Sequence, residues 1–154
     1  MALRQGVKAP DTSFATLDGG LAPLAGLRTA GPVLLAFYKA SCPVCQLTLP
    51  FLERLKGGPF QIFTVSQDGA AAAREFDAAY ELTIPALVDN HESGYAASNA
   101  FDITHVPAMF LVETDGTVSW TSEGFYRRDL EALAAKAGRE IFRPGERVPE
   151  AKSG

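Results

Sequence analysis

Apolar positions along the chain fall into blocks with two different periods. Val33–Tyr38 is a continuous apolar run, the pattern of a strand covered on both faces. Val44, Leu47, Leu49, Phe51, Leu52 and Leu55 then recur at helical spacing, and Gly57-Gly58-Pro59 closes that helix. Pro50 lies inside it and should bend it, because proline withdraws one backbone donor and crowds the preceding turn. The pattern continues with a strand over Gln61–Ser66, an alanine-rich helix over Ala70–Tyr80, a short strand over Pro85–Val88 and a helix over Tyr95–Phe101. Such alternation argues for parallel pairing in a central sheet. Met109–Glu113 and Thr117–Ser122 are instead joined by Thr114-Asp115-Gly116, an antiparallel hairpin signal. A last helix, Arg127 to about Lys136, turns Leu130 and Leu133 inward.

The two ends read differently. Residues 1–31 are rich in Gly, Ala and Pro, and Asp18-Gly19-Gly20 between Ser13–Leu17 and Leu21–Leu24 predicts an N-terminal hairpin. Beyond Gly138 the chain carries Pro144, Gly145, Pro149 and Gly154, and the expectation is a tail with little to pack. Residues 1–154 therefore read as one domain, with a core at about 8–136 and a tail over 138–154. There is no internal repeat and no low-complexity segment.

Composition narrows the function. A chain of 154 residues that is 47% hydrophobic and 21% charged can bury a sizeable core in one domain. Its 14 basic and 18 acidic residues give a formal net charge of −4 and are scattered, so nucleic-acid binding has no electrostatic footprint. Pro32–Tyr38, the longest apolar run, is far short of the roughly 20 residues that span a bilayer. The first twenty residues hold Arg4, Lys8, Pro10, Asp11 and Asp18 and no apolar run of leader length. A cytoplasmic location is expected on that ground, or a periplasmic one if a leader has been removed.

The two cysteines, Cys42 and Cys45, are only three positions apart, too close to staple distant segments. Without an export signal, such a pair is more often redox-active or metal-binding than structural. Zinc normally takes four ligands, and only His91 and His105 remain to complete a set, so neither a metal nor any other cofactor is expected. A strand ending near Lys39 and a helix beginning near Pro43 put Cys42 at the helix N-cap, facing the free N–H groups of Val44 and Cys45. Those donors and the helix dipole favour a thiolate, so Cys42 should ionise below the free value of about 8.5. Pro43 suits the first helical position, where its missing N–H costs nothing. Cys45 projects from the same face one turn deeper. The implied chemistry is attack by Cys42 on a disulfide, a mixed disulfide, and release by Cys45.

Phe37-Tyr38-Lys39-Ala40-Ser41-Cys42-Pro43-Val44-Cys45, followed by His105-Val106-Pro107-Ala108-Met109-Phe110, resembles the thioredoxin superfamily. Leu82-Thr83-Ile84-Pro85-Ala86-Leu87-Val88-Asp89 and Phe110–Val118 look like its TlpA-like branch, which carries an extra αβ segment before the cis-proline loop. The resemblance runs from about Lys8 to Lys136 and implies an α/β thioredoxin-like fold: a mixed central sheet flanked by helices, an N-terminal β-hairpin and the αβ insertion. It implies a thiol–disulfide oxidoreductase in which Cys42 is the nucleophile, Cys45 the resolving cysteine and Pro107 the cis-proline. Val106, Tyr38 and Pro43 would line the substrate surface. The partners would be a protein disulfide or dithiol and a separate redox partner, with the chain acting as a monomer.

Three positions depart from that pattern. Ala36 stands where many thioredoxins have a buried acid, Thr48 where many TlpA-like proteins have glutamate, and Ser41 where tryptophan usually precedes the first cysteine. Two alternatives share the resemblance. A peroxiredoxin-like peroxidase would pair its cysteine with a threonine three residues earlier, where Lys39 stands, and would need Arg127 or Arg128 as its arginine. A Sco-like copper chaperone would use Cys42, Cys45 and His105, since thiolates and imidazole suit copper.

Overall fold

The computed structural model describes residues 2–154. In chain order its elements are β1 (Ser13–Thr16), β2 (Leu21–Pro23), α1 (Leu24–Leu27), β3 (Val33–Tyr38), α2 (Pro43–Glu53), β4 (Gln61–Ser66), α3 (Ala70–Tyr80), β5 (Ala86–Val88), a 3-10 turn (His91–Ser93), α4 (Ala96–Ala100), β6 (Ala108–Val112), β7 (Val118–Glu123), β8 (Phe125–Tyr126), α5 (Arg127–Ala137) and β9 (Ala151–Lys152). Seven strands form one mixed sheet in the order β2-β1-β5-β4-β3-β6-β7. The predicted parallel pairing holds for β3 with β4 and β4 with β5, whereas β6 and β7 add antiparallel on one side and β1 on the other.

All six residues of β3 are buried, as a central strand between two covered faces requires. Its alternate side chains serve separate cores. Val33, Leu35 and Phe37 pack with Phe14, Phe101 and Phe110, and the Phe37 ring lies 5.4 Å from that of Phe101. Leu34 and Ala36 face the other way, onto Leu52 and Leu55 near α2 and Leu130 and Leu133 of α5. Fully burying one such aliphatic side chain contributes about 2 kcal/mol, so this two-sided strand anchors what it carries at its end.

Two expectations need correction. The helix read as Tyr95–Phe101 is the five-residue α4, because Tyr95 takes a left-handed conformation (φ 54°) after the 3-10 turn. The tail is packed. Ile141 is buried in the same core as α5, and the Phe142 ring meets that of Phe51 edge-on at 5.0 Å. Arg54 makes a two-pronged pair with Glu146 at 2.7 and 2.8 Å and also donates to the Ile141 carbonyl. Two apolar residues and one guanidinium thus give the tail an anchor despite its prolines and glycines.

Candidate active site

The site is built where β3 ends. Its carbonyls and amides are tied to the parallel neighbour: Gln67 N–H donates to the Tyr38 carbonyl at 3.0 Å, and Ala40 N–H donates to Asp68 Oδ2 at 2.9 Å. From the helix side, Gln46 Nε2 donates to the Ala40 carbonyl at 2.9 Å, and Cys42 N–H closes a turn on the Lys39 carbonyl. The short loop before Cys42 is therefore clamped from β4 and from α2. The sequence pattern did not reveal Gln46, Gln67 or Asp68. The signal for Asp68 lay in the sheet: Tyr38 pairs in register with Ser66, which sets the residue two beyond Ser66 beside Ala40, two beyond Tyr38.

Cys42 is the N-cap of α2, in extended conformation (φ −82°, ψ 114°), with Pro43 at the first helical position. Of the two donors expected there, Cys45 N–H reaches Cys42 Sγ, at 3.2 Å. Both cysteines are free; Cys42 is half-buried and Cys45 fully buried. Cys45 sits among Tyr38, Leu49, Phe76 and Leu82. Burial pushes its thiol well above the ordinary cysteine range, its hydrogen bond with Cys42 adds to the rise, and the Asp68 charge raises it further. One sulfur is thus presented to solvent and the other held neutral beneath it.

Across from Cys42 stands the turn into β6. The Val106–Pro107 peptide is cis, and Cys42 Sγ donates to the Val106 carbonyl at 3.6 Å. Pro43 is exposed and Val106 half-buried, so these two flank the accessible side of Cys42; Pro107 is buried behind Val106. Tyr38, expected at the substrate surface, must be reassigned. It has no exposed surface, and its ring packs on Phe76 at 4.7 Å between centroids, so it forms the floor behind Cys45. Its even position in β3 turns it inward with Leu34 and Ala36.

Neither Ala36 nor Thr48 supplies a proton acceptor. Ala36 lies in the apolar core, and the Thr48 hydroxyl is used up donating to the Val44 carbonyl at 2.7 Å. Beside the site is a cleft of about 300 Å³ lined by Lys39, Gln67, Ser98, Asn99, His105 and Val106. His105 is exposed, bonded to Thr104 Oγ1 and 3.9 Å from Glu123 Oε2. Among the described residues no three of His, Cys, Asp or Glu are grouped to hold a metal. Arg127 is engaged by Glu131 and Glu150 and lies over the Phe142 ring, and Arg128 is exposed. No helix among the described residues is long and apolar enough to cross a membrane.

The family model described as AhpC/TSA matches residues 5–121. The thioredoxin-like protein YneN of Bacillus subtilis (strain 168) is 26% identical over 125 residues, covering 77% of this chain and 71% of that protein. Among solved structures, a candidate thiol:disulfide interchange protein DsbE from Chlorobium tepidum is 26% identical with a TM-score of 0.73, covering 88% of this chain and 96% of its own. Peroxidoxin BcpB from Mycobacterium tuberculosis shares the fold at 21% identity and a TM-score of 0.69, covering 88% and 95%. A family match over most of the chain, together with a close cysteine pair at the strand-to-helix junction of this fold, leads to one assignment. The chain belongs to the AhpC/TSA family, within the thioredoxin superfamily, and is an oxidoreductase of the thioredoxin-like, thiol–disulfide kind.

Proposed function

We propose that the protein exchanges disulfides with polypeptide substrates, with Cys42 as the attacking thiol and Cys45 as the resolving one. The observation that carries this reading is the asymmetry of the pair: Cys42 Sγ is at the surface accepting a helix N-terminal N–H, and Cys45 is fully enclosed one turn below. Deprotonated Cys42 attacks one sulfur of the substrate disulfide, and the other sulfur leaves as a thiolate that takes up a proton. Cys45 then gives up its proton and attacks Cys42 Sγ, breaking the mixed disulfide and releasing the second substrate thiol. Two electrons pass from the dithiol to the substrate. A separate thiol-containing partner must restore the dithiol, or, run in reverse, an oxidant must restore the disulfide. Val106 and Pro43 border the surface where the substrate sulfur would arrive, with Pro107 shaping the turn behind them.

Trapping tests the order of attack. Cys45→Ser should accumulate a covalent adduct with a disulfide-bonded polypeptide, and Cys42→Ser should not. Equal trapping by both variants would reverse the assignment. Rapid turnover of hydrogen peroxide with negligible exchange of polypeptide disulfides would replace this reading with the peroxidase one.

A further inference from the structure

Residues 151–154 of the packed tail lie beside the site. From its anchor at Ile141, Phe142 and Glu146 the chain returns toward β8. The Glu150 carbonyl accepts from Arg127 N–H at 3.0 Å, and β9 pairs antiparallel with β8 through Phe125↔Lys152 and Tyr126↔Ala151. This register carries residues 153 and 154 onto the loop that faces Cys42. A Cβ placed on Gly154 would overlap the Val106 carbonyl oxygen and lie 3.4 Å from Pro107 Cδ. Gly124, at φ +79°, admits the strand from the other side: a Cβ there would meet the Lys152 carbonyl at 2.8 Å. The Val106 carbonyl thus has Cys42 Sγ as its donor and the end of the tail packed against the same peptide.

How residues 151–154 are held matters as much as where they lie. All four are exposed, so they bury no side chain, and their hold is the two-residue backbone ladder with β8. The anchoring contacts lie before residue 151, at Ile141, Phe142, Glu146 and the Glu150 carbonyl. The segment contributes no buried side chain to the core. An extended polypeptide engaging the same edge by strand addition has to take its place, because an edge strand offers one row of donors and acceptors to one occupant.

Resting on the disulfide-exchange reading above, we propose that residues 151–154 act as a specificity filter: they occupy the β8 edge and the Val106 turn, so that extended polypeptide disulfides compete with them for Cys42 while small disulfides reach the sulfur beside Pro43 directly. The device discriminates by backbone pairing.

The test compares kcat/KM for a disulfide-bonded extended peptide with that for bis(2-hydroxyethyl) disulfide. Three forms serve: the native chain, Lys152→Pro, which withdraws a ladder donor, and Gly154→Ala, which crowds Val106. Both variants should raise the peptide value by about five- to tenfold, the weight of one or two backbone hydrogen bonds, and leave the small-disulfide value unchanged. Equal gains for both substrates, or no gain for the peptide, would overturn the filter. A native protein that reduces neither substrate defeats the exchange reaction itself. The filter is then judged by amide hydrogen exchange with an extended peptide lacking cysteine. Protection should be lost at Lys152 and kept at Phe125, and unchanged protection at Lys152 overturns the proposal.

Discussion

Cys45 is the residue on which the rate of resolution turns. Its thiol is raised by burial before anything else, and the only carboxylate among the causes of that rise, Asp68, works against ionisation by its charge while holding the active-site loop through Ala40. Those two effects separate by mutation. Asp68→Asn keeps a carbonyl for Ala40 N–H and removes the charge, so Cys45 should ionise more readily. Mixed-disulfide decay near neutral pH, followed by stopped flow, should then accelerate by about two- to fivefold, the weight of a partly screened charge at close range. A slower decay would instead make Asp68 the base that receives the Cys45 proton. In the native protein the decay should climb as pH rises past neutrality, since the thiolate fraction of a raised thiol grows tenfold per pH unit until its pKa is reached. Alkylation at neutral pH should modify Cys42 well before Cys45, because Cys42 is only half-buried and Cys45 is enclosed.

At the scale of elements, the interface of α3 with the sheet carries a polar defect. Asp77 on α3 presents Oδ1 into a buried position without a hydrogen-bond partner, and its carboxyl is raised to about 6, first by burial and then by the charge of Glu53. Burial raises the Tyr38 hydroxyl behind Cys45, and the charge of Asp77 adds to the rise. A raised carboxyl means that the folded chain holds a proton the unfolded chain has released. The associated stability is fully present below the unfolded value of 3.8 and is lost as pH rises through about 6. Asp77→Asn should abolish that slope and raise stability at pH 7.5 by about 1 kcal/mol, the linkage value reduced for a half-exposed group. Urea unfolding of both proteins at pH 4.5 and 7.5 checks it: the native chain should lose stability between the two, the variant should not.

At the scale of the whole molecule, the Arg54–Glu146 pair anchors the tail together with Ile141 and Phe142. Glu146 is lowered to about 2, chiefly by its hydrogen bonds from Arg54, and Arg143 N–H adds to the effect. A lowered carboxylate contributes stability above the ordinary carboxylate range and loses it as pH falls toward 2. Glu146→Gln leaves the sheet untouched and removes the charge facing Arg54. The tail should then be clipped faster by proteases within residues 143–150, while the melting temperature falls by no more than about 2 °C. A variant whose tail resists proteolysis as the native one does would show that Ile141 and Phe142 suffice to hold it.

Much of this protein was determined locally. Val33–Tyr38 is β3 because a strand covered on both faces has to be apolar along its whole length, and β4 likewise spans the predicted Gln61–Ser66. Cys42 is an N-cap because Pro43 begins a helix directly after a strand, and its pairing with Cys45 follows from the helical repeat. The turn at Pro107 was legible through resemblance, and the cis peptide stands where that resemblance implied. Other features depend on contacts that no local pattern encodes. Tyr38 left the expected substrate surface because strand alternation, once β3 lay between two layers, turned it toward Phe76. Asp68 entered the site through the register of β3 with β4. The tail, which composition suggested would stay loose, is held by Arg54 and Phe51, with Arg54 and Glu146 92 positions apart in sequence, and that long-range packing is what brings residues 151–154 against the Val106 turn.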